Sequence, residues 1–158
     1  MKLLVIGHSV QDFIKSDEAH NISAGGIFYT ISAINKIKSI DDEVFLCSQF
    51  DDETFDYFKL EFEKLHTNYL QKVEKIPRVH LNLQKDCERH EAYENITNNL
   101  SLEYSDLICF DGILINMITG FDISLNQLIQ IRKNYSGMIF IDIHTLSRGL
   151  AKDFKREF

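Results

Sequence analysis

The sequence predicts an α/β protein with three layers, in which a mostly parallel sheet lies between helices and carries a small antiparallel β lid. Two observations support this fold class. Four short apolar runs, each typical of a strand buried on both faces, are spread along the 158 residues. Segments whose apolar residues are spaced three and four apart, as on one face of a helix, lie between those runs. Such alternation favours parallel strands that are covered on both faces.

Each predicted strand is a run of four to six residues that is almost wholly apolar. The first run stops at Gly7, and the fourth ends in the sequence Ile-Asp-Ile. Because strands of a parallel sheet face helices on both sides, they lack the polar alternation of a strand with one wet face. The four runs cover residues 3–6, 43–47, 112–116 and 138–143.

Helical patterns occupy three of the intervening segments. The first helix follows the pair Gly25-Gly26, and the second places aromatic residues on one face. Ser124 and Gln127 form a capping box that opens a third helix through Arg132. The apolar positions that share a face are Ile27, Ile31 and Ile34 in the first helix, and Phe55, Phe58, Phe62 and Leu65 in the second.

Residues 69–96 depart from this pattern and predict the lid. Residues 79–83 alternate between apolar and polar side chains, and a polar turn at residues 85–86 follows them. A period of two indicates a strand with one wet face, so the segment is interpreted as an antiparallel flap that projects from the α/β body. The chain's one proline, Pro77, lies at the entry to this flap.

The charge balance excludes two classes of partner. With a formal net charge of -7, the chain is predicted to bind neither nucleic acid nor a membrane surface, since both attract clustered Lys and Arg. The apolar run before Gly7 is too short for a signal-peptide core or a bilayer span, which predicts a cytoplasmic protein. The three cysteines are odd in number and widely spaced, as expected of reduced thiols.

Cys87 and His90 form a C-x-x-H pair beside Asp86 and Glu88, and side chains of these types could hold a metal. Structural zinc needs four ligands, and no second ligand pair at zinc spacing follows this one. The sequence therefore predicts no metal site in this chain.

Candidate binding residues follow the first predicted strand and precede the first predicted helix. Asp12 lies where an open α/β sheet presents its ligand crevice, and a carboxylate there accepts hydrogen bonds from the hydroxyls of a polyol. Gly25 and Gly26 open the helix, whose backbone amides face whatever binds there. Singly, each has an ordinary alternative, a solvated loop aspartate or helix cap for Asp12 and a tight turn for the glycines.

A second group of candidates follows the fourth predicted strand. Asp142 ends that strand and is expected to face the same crevice, with His144 and Arg148 close behind. An aspartate at a strand end also caps turns, so this position alone indicates no function. Neither the G-x-x-x-x-G-K-[ST] nor the G-x-G-x-x-G phosphate-binding motif occurs in the sequence.

Taken in order, these motifs resemble the N-terminal signature of the PfkB family of ribokinase-like carbohydrate and nucleoside kinases. The likeness covers nearly the whole chain, and the flap falls where that family inserts a β lid over the sugar. The matching segments are Gly7-His8 with Asp12, Gly25-Gly26 with Ser32-Ala33-Ile34, Ser48 to Asp52, and Ile141 to His144 with a downstream Arg148.

The resemblance implies a three-layer ribokinase-like fold and transfer of the γ-phosphoryl group of ATP, with Mg²⁺, to a hydroxyl of a sugar or nucleoside. Asp12, Gly25, Gly26 and Thr30 would then bind substrate, Thr30 standing where many members have an asparagine. The family's G-A-G-D segment, with the catalytic base, and its N-x-x-E magnesium motif belong to a C-terminal half that this sequence lacks. We therefore expect no catalytic residue in residues 1–158 and no phosphate transfer by this chain alone.

Two other interpretations stay open at this point. In the first interpretation, the chain is a non-catalytic small-molecule-binding or regulatory α/β domain that keeps the sugar site. In the second, it is a small α/β protein unrelated to kinases. An incomplete sheet also exposes strand edges and apolar surface, so we expect a homo-oligomer.

Overall fold

The computed structural model describes residues 1–16, 19–83, 90–96, 98–147 and 150–156. The chain in these ranges forms two five-stranded sheets, one fully parallel and one mixed. The strands, in chain order, are β1 (Lys2–Ile6), β2 (Ser9–Lys15), β3 (His20–Gly26), β4 (Glu43–Phe50), β5 (His66–Lys72), β6 (Arg78–Asn82), β7 (His90–Glu94), β8 (Gly112–Asn116), β9 (Met138–Asp142) and β10 (Lys155–Arg156).

The parallel sheet has the strand order β5-β4-β1-β8-β9. Its helices are α1 (Ile27–Ile37), α2 (Phe55–Phe62) and α3 (Leu125–Asn134), with short 3-10 turns at Tyr104–Cys109 and His144–Ser147. The parallel sheet has a separate hydrophobic core on each face, and alternate residues of β1 contribute to each. Val5 packs with α1 and α2, while Leu4 packs on the side of α3. The predicted α/β class, with helices on both faces of the sheet, is confirmed.

Local sequence signals predicted the helix and strand positions closely. All four predicted strands are present, although the second continues to Phe50 and the fourth ends one residue earlier, at Asp142. The capping box of α3 is formed, because the Gln127 amide donates to Ser124 Oγ at 3.2 Å and the Ser124 amide donates to Gln127 Oε1 at 2.8 Å. None of the helices in the described ranges is long and apolar enough to cross a bilayer.

The second sheet differs from the predicted lid in its extent. Its order is β10-β7-β6-β2-β3, so it includes two strands, β2 and β3, that precede α1 and that the sequence did not predict. Of the predicted flap, residues 69–96, β6 and β7 belong to the second sheet, and β6 begins at Arg78. Residues 69–72 belong instead to β5, which pairs in parallel with β4 in the main sheet. β5 is an edge strand with mostly exposed or half-buried side chains, so its sequence lacks the apolar run of an interior strand.

Asp51 ties the main sheet to the segment that enters the second sheet. The carboxylate is buried; its Oδ1 accepts from the Thr54 amide at 2.8 Å and from the Thr54 hydroxyl at 2.7 Å, and its Oδ2 accepts from the Ile76 amide at 2.8 Å. Burial acts to raise the pKa of Asp51, and these hydrogen bonds together outweigh it, so the pKa lies below its ordinary value. The carboxylate thereby holds the start of α2 against the entry to β6.

Replacing Asp51 by alanine should lower the free energy of unfolding by about 2–4 kcal/mol, because two buried backbone amides and a hydroxyl lose their acceptor. The neighbouring Asp52 is a matched control, since its side chain is 77% exposed and contacts only Lys72, at 2.8 Å, among the ion pairs of the described residues. Asp52→Ala should change the free energy by less than about 0.5 kcal/mol. Equal effects in urea denaturation would contradict the structural role of Asp51.

Strand β9 lies at the edge of the parallel sheet, although its sequence is as apolar as that of an interior strand. On the side of α1 and α2, Met138 is 61% exposed and Phe140 is 57% exposed. On the other face, Ile141 and Ile143 are also exposed, next to an apolar groove along α3. A free edge flanked by apolar side chains on both faces is a site for pairing with another strand.

The chain should therefore self-associate, forming a dimer or larger assembly at high concentration. Phe140→Lys should shift the mass measured by light scattering toward that of the monomer, because a charge then has to be buried at the contact. Ile40→Lys, at a fully exposed turn position away from β9, is the control. A monodisperse monomer of the unmodified chain would contradict the prediction.

Candidate functional site

A cleft of about 400 Å³ lies between the second sheet and the end of the parallel sheet. β2, β6 and β7 form one wall, and the start of α1 with the end of β8 forms the other. Its lining residues are Val10, Asp12, Ile14, Gly26, Tyr29, Thr30, Val79, Leu81, Glu91, Tyr93, Asn116, Ile118 and Thr145. Three of the four predicted substrate-binding residues are thus brought to one cavity.

Asp12 lies on the inward face of β2, between Val10 and Ile14 at alternate positions, and is only 8% exposed. Gly25 lies on the neighbouring strand β3, opposite Val10, and a Cβ added to Gly25 would overlap the Asp12 carboxylate. Any residue other than glycine would therefore displace the carboxylate. The predicted glycine is required for packing against Asp12, while Gly25 itself does not line the cleft.

Gly26 sets the start of α1 against the cleft. Its φ of 62° lies in the left-handed region that favours glycine. The next amide, of Ile27, donates to the backbone oxygen of His8 at 3.0 Å, which anchors the helix to the turn after β1. This arrangement brings Tyr29 and Thr30, in the first turn of α1, to the wall of the cleft.

The second group of predicted residues is placed differently. Asp142 does not line the cleft, although its Oδ2 accepts from Asn116 Nδ2 at 3.1 Å and Asn116 does line it. His144 lies in the 3-10 turn after β9, and Arg148 lies outside the described residues. From this turn, Thr145 reaches the cleft; its hydroxyl donates to the backbone oxygens of Met117 and Ile118.

A buried polar network holds the loop beside the cleft. The His8 amide donates to Asp122 Oδ1 at 2.7 Å, and His8 Nδ1 lies 2.9 Å from the Thr119 hydroxyl. Asp122 Oδ2 in turn accepts from the Thr119 amide at 2.9 Å. Burial lowers the pKa of His8, against the opposing effect of Asp122, because the imidazolium is poorly solvated inside the protein. The network therefore fixes residues 117–122, including Ile118 at the cleft.

The sequence did not indicate Glu91, Tyr93, Asn116 or Thr145 as site residues. Glu91 and Tyr93 lie on the same face of β7, two residues apart, and the Tyr93 hydroxyl donates to Glu91 Oε2 at 2.6 Å. In the sequence, Glu91 and Tyr93 alternate with Ala92, which indicates that they share one face of a strand. The sequence does not show which face of that strand points inward, because this depends on how the strand pairs. Asn116 ends a predicted strand, next to Asp142 in the register of β8 with β9.

The described residues contain no group of three His, Cys, Asp or Glu side chains placed to share a metal ion. Cys87, the partner of His90 in the C-x-x-H pair, lies outside those residues. The expected absence of a metal site in this chain and the expected use of ATP and Mg²⁺ by the complete enzyme both stay predictions.

Comparison with known proteins identifies the fold. No protein-family model matches the sequence, and no curated protein matches it. Solved structures do match. A pyrophosphate-dependent kinase of the ribokinase family, complexed with a pyrophosphate analog and myo-inositol, has a TM-score of 0.61 and 14% identity, covering 100% of this chain and 54% of its own.

Two further structures have the same fold. Ribokinase from Thermotoga maritima has a TM-score of 0.63 and 12% identity over 97% of this chain and 55% of its own. A Burkholderia thailandensis nucleoside kinase in complex with inosine has a TM-score of 0.55 and 8% identity over 90% and 52%. The chain thus has the ribokinase-like α/β fold, as the order of its motifs predicted, and spans about half the length of these proteins.

The buried His8 makes stability depend on pH. In the unfolded chain its pKa is near the ordinary 6.5, and in the folded chain it is lower, so the unfolded chain binds more protons between the two values. The free energy of unfolding should therefore fall as the pH drops from 7 through this window, by at most about 1.4 kcal/mol per pH unit for this proton.

His8→Gln should flatten this pH dependence, measured by urea denaturation at a series of pH values. The control is His20→Gln, because His20 is exposed on β3 and its loss should leave the slope unchanged. A His8→Gln variant with the slope of the unmodified chain would show that another group causes the dependence.

Proposed function

We propose that the chain is the substrate-binding portion of an ATP-dependent sugar or nucleoside kinase, which transfers the γ-phosphoryl group to a substrate hydroxyl. One observation carries this proposal. A buried aspartate, Asp12, faces a cleft between the two sheets of a ribokinase-like fold, with Gly25 packed against its carboxylate. A desolvated carboxylate of this kind serves to accept hydrogen bonds from ligand hydroxyls.

The remaining walls suit a small polyol. Val79 and Leu81 provide apolar surface, while Thr30 and Asn116 bring further hydrogen-bonding groups to the cleft. The second sheet covers one side, which limits access of water to a substrate held there. Small-molecule sites in proteins combine an apolar lining with a few placed polar groups in this way.

Phosphoryl transfer itself depends on positioning and on electrostatic stabilisation of the transferred group. In this proposal Asp12 positions the substrate, and the base, the phosphate cradle, ATP and Mg²⁺ belong to the part of the fold that residues 1–158 do not span. The solved neighbours support the substrate class, since one is complexed with myo-inositol and another with inosine.

Asp12→Asn should weaken binding about tenfold or more, because the amide cannot offer two charged acceptor oxygens to ligand hydroxyls. The measurement is isothermal titration calorimetry of the 158-residue chain with D-ribose, myo-inositol and inosine. Asp41→Asn is the control, since Asp41 is exposed in the turn before β4.

Two results would count against the proposal. Unchanged affinities in Asp12→Asn for every probe that binds would remove Asp12 from the site. Failure of the unmodified chain to bind any of the three probes would overturn the proposed substrate class.

A further inference from the structure

The apolar surface beside strand β9 continues onto helix α3. Leu125 is 72% exposed, and Ile129, one turn further along the same face of the helix, is 43% exposed. Leu125 and Leu128 line the apolar groove of about 370 Å³, together with Ile141 and Ile143 at the carboxyl end of β9. The strand edge and the helix face thus form one surface, which is called the β9–α3 surface below.

The chemistry of the groove suits the side chains of a protein rather than a polar small molecule. Its two polar side chains are already used within the chain, since Asn99 Nδ2 donates to the Phe121 oxygen at 2.6 Å and Ser124 caps α3. Small-molecule sites keep a few polar groups turned toward the ligand. An apolar groove beside an exposed strand edge is instead typical of a protein–protein contact.

The other edge strands offer no comparable surface. β5 exposes mostly polar side chains, and its pairing with β4 shifts register between Phe45 and Cys47, an irregularity of the kind that discourages a further strand. β3 consists mostly of polar residues and glycine, and β10 has only two residues. Among the described strands, the apolar edge that matches β9 is therefore β9 of a second copy.

Charge favours the same partner. The chain has a formal net charge of -7, so two copies repel each other over most of their surfaces. Residues 125–131 of α3 and residues 136–141, which include most of β9, contain no charged side chain. Two copies can therefore meet at the β9–α3 surface without burying like charges.

The area of contact requires the helix as well as the strand. A five-residue strand is about 17 Å long, and its edge alone is much smaller than the roughly 800 Å² that each partner contributes to a specific interface. Leu125 and Ile129 on one face of the sheet, with Met138 and Phe140 on the other, supply further apolar area. A partner that covers only the backbone of β9 would leave these side chains in water.

We propose that the chain forms a closed dimer, in which β9 of one protomer pairs antiparallel with β9 of its partner and the two α3 helices pack against each other. A two-fold axis between identical edges makes the paired strands antiparallel and uses up both edges, so the assembly stops at two copies. The two parallel sheets then become one continuous sheet.

The spacing of the elements is compatible with this packing. α3 lies over β8 and β9, because Ile131 and Leu128 share a core with Ile115 of β8 and Ile139 of β9. Neighbouring strands lie about 4.8 Å apart, so the axes of the two α3 helices would be separated by about two strand spacings, or about 10 Å. Packed helices have interaxial distances of about 8–10 Å.

The test is sedimentation equilibrium of the 158-residue chain over a range of concentrations. The unmodified chain should reach the mass of two copies and go no further. Ile129→Arg and Leu125→Arg should each raise the dissociation constant of the dimer at least about tenfold, because a charge then has to be buried at the contact. Leu60→Arg is the matched control, since Leu60 is 77% exposed on α2, on the opposite face of the sheet.

Crosslinking with a short bismaleimide tests the geometry independently. With the exposed thiol removed by Cys109→Ser, Ile129→Cys should give a covalent dimer and Leu60→Cys should not. A monomer at all concentrations, or growth beyond two copies, would overturn the proposal. So would equal dissociation constants in Ile129→Arg and Leu60→Arg, or equal crosslinking of the two cysteine variants. None of these results depends on the proposed function, which is tested by ligand binding.

Discussion

The cleft depends on the short junction at which the chain leaves the parallel sheet and enters the second one. Gly7 still belongs to the main sheet, since its amide donates to the Cys47 oxygen at 3.2 Å, and Ser9 already begins β2. Between them, the His8 amide is held by Asp122 and the His8 oxygen by the first amide of α1. These hydrogen bonds to the backbone of residues 7 and 8 hold the junction between the two sheets that form the cleft.

Close packing and buried hydrogen bonds restrict which residues can occupy this junction. A Cβ on Gly7 would lie 2.8 Å from the Asn116 backbone oxygen, so β8 approaches too closely for any other residue. The Ser9 amide donates to Ser48 Oγ at 2.9 Å, at the end of β4. All of these groups are buried, and buried polar groups without partners are costly. A junction in which the amides of residues 7–9 each have an acceptor has few alternative geometries.

The parallel sheet and its helices could be predicted from sequence because interior strands and amphipathic helices have distinct periods. β1, β8 and β9 are continuous apolar runs, and α3 begins at a complete capping box. β5 was missed because an edge strand exposes much of its surface and resembles a polar loop. β2 was missed because its inward face lines a partly polar cleft, so Asp12 interrupts its apolar pattern.

The candidate site likewise contains residues that local sequence indicates and residues that only the strand pairing brings there. Asp12, Gly26 and Thr30 lie within one continuous stretch of sequence whose motif order is informative, and the fold brings them to one cavity. Glu91 and Tyr93 lie on β7, separated from β2 by β6, so their proximity to Asp12 depends on strand register rather than on sequence spacing. The predicted site roles stay predictions for all seven residues: Asp12, Gly25, Gly26, Thr30, Asp142, His144 and Arg148.

The uncovered edge and the cleft are physically connected. β9 carries exposed apolar residues on both faces, and its last residue, Asp142, accepts a hydrogen bond from Asn116, which lines the cleft. The Met117 amide also donates to the Asp142 backbone oxygen, at 3.0 Å, and the Thr145 hydroxyl donates to the Met117 oxygen. Polypeptide packed against β9 would therefore restrain Asp142, and through Asn116 and Met117 it would restrain the wall of the cleft. Pairing of another strand with β9 and restraint of this wall of the cleft would, by this route, be coupled.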